Sequence, residues 1–264
     1  MVSFRSLFRG PNRTPPPAIP AGERAYAVGD VHGCGALFDA LVAAIEADDA
    51  ARSAAETTIV LLGDLIDRGP DSAGVIAAAR ALQARREVRI LMGNHEEMFL
   101  ASLDDPEVLR DLLRFGGRET VLSYGVDPRA YAAADIAEVR ALLNKHLPAA
   151  DRAFIAGFED SVTIGDYHFV HAGVRPDVLL DEQNPADLRW IRRTFLDRDD
   201  GFGAVIVHGH TIFAKPEIKR GRIGIDTGAY ATGRLTALGL EGTRRWLIEA
   251  SDNDGAIAIA QRSI

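Results

Sequence analysis

The sequence predicts an α/β domain in which a half built from βαβ units is followed by a strand-rich half. Three observations predict it. Short apolar runs alternate with helical stretches between residues 25 and 92, strand-like runs broken by turn residues return after residue 160, and short polar islands directly follow several of these runs. Strands alternating with helices of this length imply βαβ units, whose functional residues collect on loops at the carboxyl ends of the strands.

Taken in order, residues 1–22 carry Pro15, Pro16, Pro17 and scattered arginines and are expected to form a flexible tail, because proline runs favour an extended, unpacked chain. The domain itself is expected over 23–264, with strands at 25–28, 58–62 and 88–92 and helices at 35–47 and 72–84. Between 97 and 160 helix formers at 107–113 and 136–147, interrupted by Gly116, Gly117, Pro128 and Pro148, predict a helical cap inserted over the site. Strand-like runs return at 161–164, 167–170 and 204–207. Further runs at 215–220, 222–225, 235–240, 243–250 and 256–260 are split by Gly221, Gly242 and Asp254-Gly255. Turn residues so placed signal hairpins, and the C-terminal half is expected to be mainly a second sheet.

Composition bounds the function. A chain of 264 residues with 47% hydrophobic content can bury one large core. A net charge of −8 argues against a nucleic-acid scaffold, whose affinity rests on clustered Lys and Arg. The single cysteine, Cys34, allows no internal disulfide and is expected to be a small residue at a helix start. No apolar run reaches the roughly 18 residues that a membrane span needs, so no membrane partner is expected and the cytoplasm is the simplest location.

Five islands carry the chemistry: Gly29-Asp30-Val31-His32-Gly33, Gly63-Asp64-Leu65-Ile66-Asp67-Arg68-Gly69, Gly93-Asn94-His95-Glu96, His171-Ala172-Gly173 and His208-Gly209-His210-Thr211. Together they supply carboxylate, imidazole and amide oxygen, the mixed donor set that hard or borderline divalent cations accept. Asp30 and His32 are two apart, so an extended backbone would point both the same way. Asp64 is the expected bridge between two cations, and His95, with an ordinary pKa near neutrality, is the expected general acid with Asp67 holding its ring.

In this order, GDVHG, GDLIDRG, GNHE, HAG and HGHT resemble the phosphoprotein-phosphatase branch of the calcineurin-like metallophosphoesterases, over about residues 24 to 240. The resemblance implies a four-layer α/β/β/α sandwich of two mixed sheets. It implies that Asp30, His32 and Asp64 hold one metal and that Asp64, Asn94, His171 and His210 hold the other. It implies that His95 acts as acid with Asp67, that Arg68 grips phosphate, and that the arginine of Trp190-Ile191-Arg192 does so too. Two metals, expected to be Mn²⁺ with iron or zinc as alternatives, would supply the attacking hydroxide without a phosphoenzyme. Asn94 would also contact substrate, and Tyr230, in Asp226-Thr227-Gly228-Ala229-Tyr230, is placed near it by resemblance to protein phosphatases and diadenosine tetraphosphate hydrolases.

The favoured substrate is a phosphoserine or phosphothreonine protein. A dinucleoside polyphosphate is the alternative, and a catalytically silent binding protein keeping the fold is the alternative of another class. Two positions depart from the resemblance: Met92 stands where many members carry arginine, and Phe115 where relatives often carry asparagine. His146 and His168 are expected to be structural, and His208 shares strand parity with His210 but lies outside the family pattern.

Overall fold

A computed structural model describes residues 15–264. The first half runs β1 (Glu23–Val28), α1 (Gly35–Ala50), β2 (Glu56–Leu61), α2 (Ser72–Gln83), β3 (Glu87–Ile90) and α3 (Asn94–Ser102). The two helices that link the strands are the crossovers that parallel pairing requires, and β1 pairs in parallel with β2, as does β2 with β3. Helices α4 (Pro106–Leu112), α5 (Arg118–Ser123), α6 (Pro128–Ala133), α7 (Ile136–His146) and α8 (Ala149–Ala156) follow, with a kinked turn at Leu113–Gly117 between α4 and α5, where Gly116 leaves helical geometry.

The second half contains β4 (Ser161–Ile164), β5 (Tyr167–Val170), α9 (Pro185–Trp190), α10 (Arg193–Leu196), β6 (Val205–His208), β7 (Glu217–Ile218) and β8 (Arg222–Gly224). It ends with α11 (Ala229–Thr232), β9 (Arg234–Glu241), β10 (Arg244–Asn253) and β11 (Ala256–Ser263). The expectation that this half is mainly a second sheet needs correction. Strands β4 to β8 form a separate five-stranded sheet, but β9 pairs antiparallel with β1, so β9, β10 and β11 extend the first sheet to six strands. Local sequence marks the hairpins, whereas the partner of β9 lies more than two hundred residues away.

Each central strand is apolar on both faces because it is covered on both. Tyr26 and Val28 face the helices with Phe38, Leu41, Ile76 and Phe99, while Ala25, Ala27 and Leu238 of the first sheet face Phe169 and Val207 of the second. A third cluster, including Val170, Ile206, Leu188 and Phe195, lies between the second sheet and α9 and α10. The result is the four-layer α/β/β/α arrangement with two mixed sheets. Each fully buried Leu, Ile, Val or Phe contributes roughly 1.5–3 kcal/mol, so these three clusters carry the stability.

The helices α4 to α8 are not a detached lid. Leu109, Leu112, Val121, Val139, Leu143 and Ile155 belong to the same cluster as the helix face of the first sheet. Of the expected tail, residues 1–14 lie outside the described residues. Over residues 17–20 the chain is docked rather than free: Ile19 is buried, its N–H donates to Gly242 O at 2.9 Å, and Tyr167 donates to Pro17 O. An isoleucine has an apolar cleft to fill there, next to the interlayer core. Among the described residues no helix is long and apolar enough to cross a membrane.

Candidate active site

The islands meet at one end of the interlayer core because they leave parallel strands in the same direction. Close approach of these loops explains their glycines. A Cβ on Gly29 would lie 2.8 Å from Ile225 O, and one on Gly63 2.7 Å from Gly93 N. His32, Asp64, Asp67, Arg68 and His210 all adopt positive φ, between 46° and 70°, which side-chain-bearing residues rarely do. Among the other described residues that carry a side chain only Asp177 and Asp254 share that conformation, so backbone strain is concentrated where functional sites hold it.

Two buried clusters share Asp64: His32, Asp64 and His95 on one side, and Asp64, His171 and His210 on the other. Asp64 turns Oδ2 to the first, 3.5 Å from His32 Nε2 and 3.9 Å from His95 Nε2. It turns Oδ1 to the second, 3.4 Å from His171 Nε2. Asn94 Oδ1 completes that side at 3.0 Å from His171 Nε2 and 2.8 Å from His210 Nδ1. Donors about 2.1 Å from one ion stand roughly 3.0–3.4 Å apart, so the second cluster has the spacing of ligands converging on a cation.

The ring orientations fit the same reading. His32 Nδ1 lies 2.8 Å from Ile66 O and His171 Nδ1 2.8 Å from Leu62 O. A carbonyl only accepts, so both Nδ1 atoms donate and each Nε2 presents its lone pair to the cluster. Burial lowers His32 to about 3 and His210 to about 2, keeping both imidazoles neutral as metal ligands must be. Asp64 is also pushed up by burial, but the surrounding imidazoles outweigh this and hold its carboxyl well below the usual range.

Asp30 stands outside the two clusters. Its carboxylate accepts the His210 N–H at 3.0 Å, and burial, followed by the charges of Asp226 and Asp64, pushes it well above the usual range. Three buried carboxylates so close together call for cationic compensation. His95 donates from Nδ1 to Asp67 Oδ2 at 2.6 Å. Burial would lower its pKa, but the charge of Asp64 and the bond to Asp67 raise it on balance.

Arg68 places one N–H 2.7 Å from His32 Nε2 and another 2.9 Å from His95 Nε2, with its guanidinium carbon 4.8 Å from the Tyr230 ring centre. Tyr230 is 41% exposed and meets His32 edge-on. Arg192 lies between α9 and α10 and forms no ion pair among the described residues; burial above all lowers His171 and His210, and the charge of Arg192 adds to it. The preceding Trp190 is anchored by a hydrogen bond to Glu97. The structure brings His32, Asp64, Asp67, Arg68, Asn94, His95, His171, His210 and Tyr230 together and Asp30 against the His210 amide, whereas the Arg192 side chain forms no hydrogen bond or ion pair with them.

His168 is not at the site; its Nδ1 pairs with the Thr163 hydroxyl at 2.7 Å. His208 packs edge-on against Phe195. It does not join His210, because the φ of +61° at His210 breaks the strand alternation that parity assumes. Cys34 is half-buried and pushed up to about 11 by burial, which suits a structural thiol.

Sequence reasoning assigned no role to Glu96, Asp226, Thr120 or Ser72. Glu96 is fully buried and accepts the N–H groups of Asp64, Leu65, Ile66 and Gly93, so one carboxylate shapes two ligand loops. Its place in the third island was the available signal. Thr120 donates to Asp67 Oδ1 at 2.5 Å and pairs with Ser72, but no local pattern links positions so far apart.

This fold with these shared His and Asp clusters defines a metal-dependent phosphoester hydrolase. The sequence model of the calcineurin-like phosphoesterases matches residues 24–233, and the chain belongs to that family. It is 30% identical over 241 residues to the asymmetrical bis(5'-nucleosyl)-tetraphosphatase PrpE of Geobacillus thermodenitrificans (strain NG80-2), covering 80% of this chain and 88% of the relative. It is 31% identical over 163 residues to the symmetrical bis(5'-nucleosyl)-tetraphosphatase of Acidovorax ebreus (strain TPSY), covering 60% of this chain; the matched part spans 46% of that relative's length. A crystal structure provisionally named a diadenosine tetraphosphatase superposes with a TM-score of 0.57 at 18% identity, over 93% of this chain and 98% of that one. The protein-tyrosine phosphatase of a psychrophilic Shewanella species gives 0.53 at 21% identity, over 92% and 83%. These two likenesses concern the fold.

Proposed function

We propose that the protein hydrolyses dinucleoside polyphosphates, with two divalent metals, Mn²⁺ first among them, held by Asp30, His32 and Asp64 and by Asp64, Asn94, His171 and His210. The observation that carries the dinuclear reading is Asp64, whose two oxygens face two different imidazole clusters. A metal pair of this kind supplies Lewis acidity to phosphoryl oxygens and readies water for in-line attack. The remaining work falls to the chain. Arg68 and Arg192 offer forked donors that match phosphate oxygens, and a bound phosphate draws the Arg68 N–H groups from the imidazoles onto those oxygens. His95 delivers a proton from Nε2 to the leaving oxygen, while Asp67, itself held by Thr120, fixes the ring through Nδ1.

The phosphoprotein preference drawn from the motifs gives way here to the dinucleotide. The relatives that support it, at 30% and 31% identity, are named as tetraphosphatases, whereas the protein-phosphatase likeness is one of fold. The cytoplasm is the proposed setting, supported by a chain with one cysteine. The test uses protein stripped of metal and restored with Mn²⁺, assayed on diadenosine tetraphosphate, a phosphothreonine peptide and p-nitrophenyl phosphate. The expected kcat/KM for the dinucleotide exceeds that for the peptide by at least about tenfold, or about 1.4 kcal/mol. A tenfold preference for the peptide overturns the reading.

A further inference from the structure

We propose that Phe115 is a stacking platform for a nucleobase of the substrate, an inference that rests on the dinucleotide reading. Phe115 is 54% exposed, the largest exposure of any aromatic among the described residues that stand out as exposed large hydrophobics. Phenylalanine is among the side chains most often buried, and here its ring is open to solvent. The ring belongs to the turn at Leu113–Gly117, where the chain kinks between α4 and α5 because Gly116 leaves helical geometry.

That turn rests directly on the phosphate clamp. Gly116, the next residue, has φ +108° and accepts the Arg68 N–H at 3.0 Å through its carbonyl. A Cβ on Gly116 would lie 2.7 Å from Arg68 Cγ and 2.8 Å from Arg68 N, so only glycine lets the two segments meet. On the other segment Asp67 and Arg68 are themselves left-handed, at φ +70° and +68°. Two strained stretches of backbone are therefore pressed together beside the guanidinium that the mechanism assigns to phosphate. Tyr230, also open, borders the same guanidinium.

In a nucleotide the base lies one ribose away from its first phosphate, so an exposed ring one residue from the glycine that packs on Arg68 is within reach of a base whose phosphate Arg68 holds. Base–aromatic stacking is tolerant of base identity, because every base has a π-face. A phosphorylated serine or threonine has no such face to offer. The unused aromatic surface at Phe115 thus matches a nucleotide and not a phosphopeptide side chain.

The test compares AMP with ribose 5-phosphate as competitive inhibitors of p-nitrophenyl phosphate hydrolysis by the manganese-restored protein. The two differ by the base alone. AMP is expected to bind roughly tenfold more tightly to the wild type, the size of one stacking contact. Phe115→Ala should bring the ratio of inhibition constants close to one, and Phe115→Trp should preserve it. In Phe115→Trp, AMP should quench tryptophan emission where ribose 5-phosphate does not. A wild-type ratio near one, or a ratio unaltered in Phe115→Ala, overturns the proposal, including the case where both inhibitors weaken equally because the turn merely props Arg68. Failure to cleave diadenosine tetraphosphate would instead count against the dinucleotide reading, and the inhibitor ratio would still decide the role of Phe115.

Discussion

Asp64 and His95 show how burial and partners divide two roles between neighbouring side chains. Asp64 is ionised between imidazoles, while His95 is held by Asp67 and raised in pKa, as a proton donor working near neutrality should be. Replacing His95 with Asn is expected to lower turnover by about 10² to 10⁴ while metal analysis finds near-normal metal content. Unchanged turnover would refute the acid assignment. His168 governs a separate, structural pH dependence. Burial lowers it to about 4 in the fold, against about 6.5 when unfolded, so the folded state binds fewer protons. The stability that this secures is whole above pH 6.5 and is lost as pH falls from there towards 4. Urea unfolding at about pH 4.5 should show His168→Gln retaining roughly 2 kcal/mol more of its neutral-pH stability than the wild type, a figure discounted for solvent screening. The residues of the two buried His and Asp clusters were legible in sequence because each follows a strand run. Glu96 and Asp226 were not, because the first acts through backbone amides and the second through its nearness to Asp30.

At the scale of elements, the parallel strands and their helices were legible because a strand covered on both faces must read as a continuous apolar run. The cap was legible as helices and not as part of the core. Its α7 opens with a capping box, in which Asp135 accepts the Glu138 N–H and Glu138 accepts the Asp135 N–H. Asp135→Ala should therefore lower stability by about 1 kcal/mol, seen as a lower melting temperature. Because Val139 and Leu143 of α7 join the main hydrophobic cluster, the transition should remain single rather than split into cap and domain steps. A separate early cap transition would contradict that continuity.

For the whole molecule, the buried carboxylates Asp30, Asp64 and Asp226 couple metal binding to stability. Removing metal leaves three acidic groups close together in the interior, and restoring it binds the folded state alone. Mn²⁺ at about a hundred times its Kd should raise stability by roughly 2.7 kcal/mol per site, read as a higher melting temperature, and an unaltered melting temperature would count against a buried metal centre. By itself the sequence determined the strand-end islands, their donor chemistry and the α/β class, because alternation, turn residues and ligand types are written locally. Only the tertiary structure decided that β9 to β11 complete the first sheet, that His208 turns away from His210, and that Gly116 closes on Arg68. Those facts depend on strand pairing and backbone contacts between distant segments, which a linear pattern does not encode.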